Sequence, residues 1–105
     1  MSRAVLVLTL LVACKGDPQR CDQAARNYAS LRFWSLADPD IAKAPAAERD
    51  KLRRQKLAQF EDAVERNIDS VVAQCVSANN DEQVDCMIAA KTAETVAKCA
   101  EPAGK

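Results

Sequence analysis

Five cysteines and no histidine set the chemistry open to this 105-residue chain. Without imidazole, His-based acid–base work and most zinc sites are excluded. The cysteines stand at positions 14, 21, 75, 86 and 99, and no two form the Cys-x-x-Cys spacing of a dithiol redox centre. Glu61, Glu65 and Asp69 are spaced by four, which lines them along one face of a helix. Glycoside hydrolysis needs two carboxyls in different environments across a cleft, so such a row reads instead as an ordinary polar face. A phosphate-cradling glycine loop is also excluded, because no glycine occurs between Gly16 and Gly104. The residues therefore point to no catalytic group, metal site or cofactor, and the chain is expected not to be an enzyme.

Two clusters remain as candidate contact surfaces. The first is RDKLRRQK, residues 49–56, where Arg49, Lys51, Arg53, Arg54 and Lys56 stand against Asp50. Cations near a helix N-terminus oppose the helix dipole, so helix stability does not explain their placement. They would suit phospholipid headgroups, lipopolysaccharide phosphates or an acidic protein. The plainer reading is a solvated charged face, partly neutralised by Glu48 and Asp50. The second cluster is Phe33-Trp34, which lies off the main apolar face of its helix. Exposed aromatics often mark binding surfaces. The plainer reading there is that the following connector, through Ile41, folds back over the rings. Lysine plus arginine total 15 and aspartate plus glutamate total 15, so no basic excess calls for nucleic acid as a partner.

The elements that must position these residues read as helices. Alanine, the best helix former, is abundant. No stretch alternates apolar and polar residues as a half-buried strand would, and the Asn-Gly and Asp-Gly signals of tight hairpins are missing. The prediction is an all-α bundle: two long antiparallel helices followed by two short ones. Asp17 can cap the first helix, with Pro18 in its first turn, and Asp38-Pro39 is expected to end it near Ala37. Cys21, Ala24, Ala25, Tyr28, Leu31 and Ser35 then share a face. After a connector, DPDIAKAP, Pro45 starts a second helix that runs to about Ser77. Its apolar stripe is Leu57, Phe60, Val64, Ile68, Val71 and Cys75. Because that stripe begins only at Leu57, the basic first turns are expected to protrude beyond the core. A turn at Asn79-Asn80-Asp81 leads to a third helix, about Glu82 to Lys91. Thr92 is the expected N-cap of a fourth, ending near Ala100.

This layout collects Cys21, Cys75, Cys86 and Cys99 at one end of the bundle. Four cysteines in a small exported domain read as two disulfides, and they allow three pairings. Val84, Met87 and Ile88 form one side of the third helix, and Cys86 points away from them. That favours Cys21–Cys75 with Cys86–Cys99; Cys75–Cys86 with Cys21–Cys99 stays open.

The first fourteen residues, MSRAVLVLTLLVAC, combine a positive Arg3 with an apolar run from Ala4 to Ala13 broken only by Thr9. A bilayer span takes about 20 apolar residues, so this run fits the core of a secretory signal instead. Leu11-Val12-Ala13-Cys14 resembles the lipobox of bacterial lipoproteins. The resemblance implies that residues 1–13 are removed as a signal peptide and that Cys14 becomes the lipidated first residue, carrying palmitate-type acyl chains. Residues 14–17 would then be the anchor and tether, 18–101 the stapled domain and 102–105 a tail. Two or three acyl chains hold firmly, at about 0.8 kcal/mol per buried CH₂. Lys15, rather than Asp, after the cysteine implies the outer membrane by that family's sorting rule. The segment CVSANNDEQVDCMIAAKTAETVAKC, with Cys21 upstream, resembles small four-cysteine helical exported proteins of Gram-negative bacteria. That likeness implies a fold and a compartment but no activity. The expected partners are the membrane, through the N-terminal lipid, and an envelope protein. Binding or scaffolding is the expected mode of action; the alternative is an envelope lipid or small-ligand binder using residues 49–56 or an interhelical cavity.

Overall fold

The computed structural model describes residues 16–101. The signal segment, Cys14 and the tail at 102–105 lie outside the described residues. Four α-helices follow one another: α1 (Pro18–Lys43), α2 (Arg49–Ala78), α3 (Asp81–Ala89) and α4 (Ala93–Cys99), with a 3-10 turn at Ala46–Glu48 leading into α2. Among the described residues there is no strand, and no helix is long and apolar enough to cross a membrane.

The helix starts follow local chemistry. The Asp17 carboxylate accepts from the backbone N–H groups of Gln19 (2.9 Å) and Arg20, and Pro18 occupies the first turn, where a missing N–H costs nothing. Asn80 caps α3 through the N–H of Gln83, and Thr92 caps α4 through that of Thr95, each at 3.1 Å. Asn79 ends α2 in the left-handed region, φ 49°, with its N–H on the carbonyl of Cys75. Asparagine tolerates this conformation better than most residues.

The first helix does not stop at Ala37. It carries Pro39 inside it and ends at Lys43, which overturns both the expected stop and the expected DPDIAKAP connector. The cause is tertiary. Ala37 and Ile41, one turn apart, are both buried, and burying an isoleucine contributes about 1.5–3 kcal/mol. That is comparable with the roughly 3 kcal/mol an interior proline costs. The freed C-terminal carbonyls of α1 also find a donor: Arg49 gives Nε to the Ala44 carbonyl (2.9 Å) and Nη2 to that of Ala42 (3.1 Å). With α1 this long, the first turns of α2 do not simply protrude. Leu52 and Lys56 are half-buried, so the expectation of a free basic overhang is corrected.

α1 is the helix on which the other three pack, and α3 also packs on α4. The core lies at the cysteine end. Cys21, Ala24 and Val84 are buried there, with Val72, Cys75, Val76, Met87 and Ile88 against them. Val96 of α4 is fully buried. Along α1 the buried positions begin on the expected face with Cys21, Ala24 and Ala25, then shift to Ala37 and Ile41, leaving Ser35 exposed. Gly16 lies against α2 at Val76. A Cβ at that position would come within 3.0 Å of the Val76 backbone, so a side chain there would force the entering chain away.

Candidate functional site

The two disulfides are Cys21–Cys75 and Cys86–Cys99, with Cα–Cα distances of 5.8 and 5.6 Å. The first ties α1 to α2 inside the core, since Cys21 is only 2% exposed. The second ties α3 to α4 nearer the surface, where Cys86 is exposed. Helix facing identified the pairing for a simple reason. Val84, Met87 and Ile88 do pack inward on the core, which leaves Cys86 to α4. With all four thiols in disulfides, none of them is a nucleophile or metal ligand. Among the described residues no group of three His, Cys, Asp or Glu side chains could hold a metal ion.

The aromatic pair is placed differently from either sequence reading. Phe33 and Trp34 are half-buried, and Phe60 of α2 lies against both. Ring centroids are 5.1 Å apart for Phe33–Trp34 (edge to face), 5.2 Å for Phe33–Phe60 and 6.4 Å for Trp34–Phe60. The connector covers neither ring, because Ile41 belongs to α1 itself. The large apolar side chains that reach water are Leu36 (75% exposed), Leu57 (44%) and Val71 (44%).

The basic stretch is divided by its own helix. Arg49 holds the α1 carbonyls, Arg53 lies 3.9 Å from Asp38, and Lys56 lies 4.0 Å from Asp40. Those contacts point three of the five cations at α1. Lys51 and Arg54 are exposed and have no carboxylate within 4 Å among the described residues. The acidic row keeps its place on the exposed side of α2, where Glu61, Glu65 and Asp69 line an open surface groove with Arg26. Asp69 also lines an open groove with Asp22 of α1, whose carboxylate is held by Arg26.

Two further features stand out, one with no counterpart in the sequence reading and one that bears on the interhelical cavity of its alternative. The Asn27 amide donates to the carbonyls of Met87 (2.7 Å) and Ala90 (3.0 Å), closing the C-terminal turn of α3 from a neighbouring helix. Nothing in the local sequence around Asn27 signals this, because its partners are 60 or more residues away.

The second feature is an apolar trough of about 320 Å³ between α1 and α2. Ala25, Ala29 and Phe33 form its α1 side, and Phe60, Val64 and Ile68 are prominent on its α2 side. A neighbouring groove of about 310 Å³ continues it toward the disulfides and α3, past Met87 and Ala100. Ala25, Tyr28 and Val71 line both, so the two form one channel open to solvent. On α2 it extends from Phe60 to Ala78, about 27 Å of helix. The small alanines at 25, 29 and 63 are the one signal the sequence held for it. They leave room between helices that larger residues would fill.

Comparison with known proteins gives this arrangement no precedent: no family model matches the chain, and neither a curated protein nor a solved structure matches it.

Proposed function

We propose that the chain is a lipid-anchored protein of a bacterial cell envelope that acts by binding, and that the α1–α2 trough is its binding surface. The observation that carries this reading is the trough itself. It is long and apolar, it is open to water, and exposed Val71 lies on its wall. Grooves of about 300 Å³ and above, apolar with few polar groups, are the usual form of a small-ligand site. The disulfides support an oxidising compartment, as the signal-like N-terminus does.

Anchoring at Cys14 would set the orientation of the domain. Cys14 precedes Gly16 by two residues in the sequence, so a lipid there would be tethered next to Gly16. Gly16 rests on Val76 at the disulfide end. Arg49, at the other end of α2, stands about 40 Å further along the helix. The cations at 49–56 are thus remote from the anchor, and three of them already face α1. This favours the trough over the basic stretch as the working surface.

The test of the anchor is the intact mass of the protein taken from a membrane fraction without reducing agent. The expected species is the 92-residue chain from Cys14 to Lys105, heavier by its acyl groups and lighter by four hydrogens. A full-length or Met-trimmed chain with free thiols overturns the reading.

A further inference from the structure

We infer that the trough binds a long-chain carboxylate, with the hydrocarbon along the α1–α2 groove and the carboxylate on Arg32. The inference rests on the reading of the trough as the binding surface and goes on to name what fills it.

Shape and charge select this class. The channel is long and open, almost wholly apolar between Phe33 and Phe60 and mostly apolar toward the disulfides, so an unbranched hydrocarbon chain can lie along it. The side chains that could hydrogen-bond a polar ligand within it are few: Tyr28 in both parts, Asn67 in one, Gln74 and Gln83 in the other. Tyr28 lines both parts, and Arg32 sits over it. The Arg32 guanidinium carbon is 5.6 Å from the centre of the Tyr28 ring, and Nη1 donates to the Tyr28 hydroxyl at 3.4 Å. Arg32 has no carboxylate within 4 Å among the described residues, whereas Arg20, Arg26, Arg53 and Arg66 each have one. A guanidinium that rests on Tyr28 beside an apolar groove and has no carboxylate partner among the described residues is complementary to a carboxylate on a hydrocarbon tail. Its planar fork can hold both carboxylate oxygens.

The same face could instead take the apolar side of a partner helix. Such a partner would be about 10 Å across and would cover more of the surface than the channel itself. The uncommitted charge at Arg32 favours the smaller anionic ligand.

The experiment uses the full chain purified in detergent and a long-chain fatty acid brominated in mid-chain. Bromine quenches tryptophan at short range, and Trp34, the only tryptophan, packs directly behind Phe33 and Phe60, which line the trough. The expected result is saturable quenching at one fatty acid per chain. Ala63→Phe with Val71→Phe should abolish it. Both positions are exposed, so the bulk enters the channel without straining the core. Arg32→Gln, at an exposed position that leaves the fold intact, should weaken binding about tenfold, in line with one charge-assisted hydrogen bond. The uncharged methyl ester should bind the parent chain more weakly by a similar factor.

Quenching that does not saturate, or that persists in the filled variant, overturns the trough as a binding surface and the inference with it. An ester that binds as well as the acid, with no effect of Arg32→Gln, leaves the binding surface standing and overturns the carboxylate.

Discussion

The two ends of the molecule are built on different principles. At the cysteine end, three helices meet around Cys21, Ala24 and Val84, α4 is tied on through Cys86–Cys99, and both disulfides lie there. At the other end only α1 and α2 run together. None of the thirty residues of α2 is buried, and Leu36 and Leu57 remain in water. A small chain with four aromatic side chains cannot fill a core along its whole length. It concentrates burial and covalent staples at one end and leaves an apolar channel along the helices that project from it. The outer part of that channel, from Phe60 to Val71, lies beyond this core, while its inner part is lined by Cys21, Ala24 and Val84 of the core itself.

The comparison can be broken most directly at the disulfides. By loop length, Cys21–Cys75, which spans 54 residues, should contribute about 4 kcal/mol and Cys86–Cys99, which spans 13, about 3 kcal/mol. Urea unfolding of Cys21→Ser/Cys75→Ser beside Cys86→Ser/Cys99→Ser measures both. Burial should widen the gap, because Cys21 is in the core and Cys86 is exposed. For the same reason, limited reduction followed by alkylation should label Cys86 and Cys99 first. Equal losses and simultaneous labelling would mean that the two ends do not differ as described.

Pro39 probes the projecting half. It sits inside α1, where proline is about 3 kcal/mol less favourable than alanine. Pro39→Ala should raise stability by up to that amount, read as a higher urea midpoint with unchanged slope. A drop would show that the helix needs the proline's rigidity there.

At the cysteine end, Asn27→Leu removes the donor that closes α3 and should cost about 1–3 kcal/mol. For a domain of this size that lowers Tm by several degrees per kcal/mol, which calorimetry resolves. The smallest effect is expected at Val71, where Val71→Ala should stay within about 0.5 kcal/mol while Val84→Ala costs about 1–2 kcal/mol. If the two valines cost the same, the trough wall is part of the core.

Much of the fold was legible because it is written in local chemistry. Asp17, Asn80 and Thr92 are cap residues followed by helix formers, and each caps the helix that follows it. The cysteine pairing followed from the inward side of one nine-residue helix. The candidate site was far less legible. Phe33 and Trp34 were marked as aromatics off the main face, whereas Phe33 lines the α1–α2 trough beside Ala25, and that Phe60 lies against both rings depends on where α2 crosses α1. The basic stretch reads as five like charges in sequence. In space its members are sorted by direction, and Arg49 serves a helix end two elements back.

The sequence by itself determined that this protein is helical, where most of its helices begin, and that its cysteines gather at one end. Those outcomes follow from propensity, capping and the 3.6-residue period, which act over one or two turns. Only the tertiary structure decided that α1 continues through Pro39, that Asn27 closes a helix sixty residues on, and that α1 and α2 enclose an apolar channel with Arg32 beside it. Each of these depends on groups far apart in the chain. The energy of burying Ile41 or satisfying a carbonyl appears only once the helices have met.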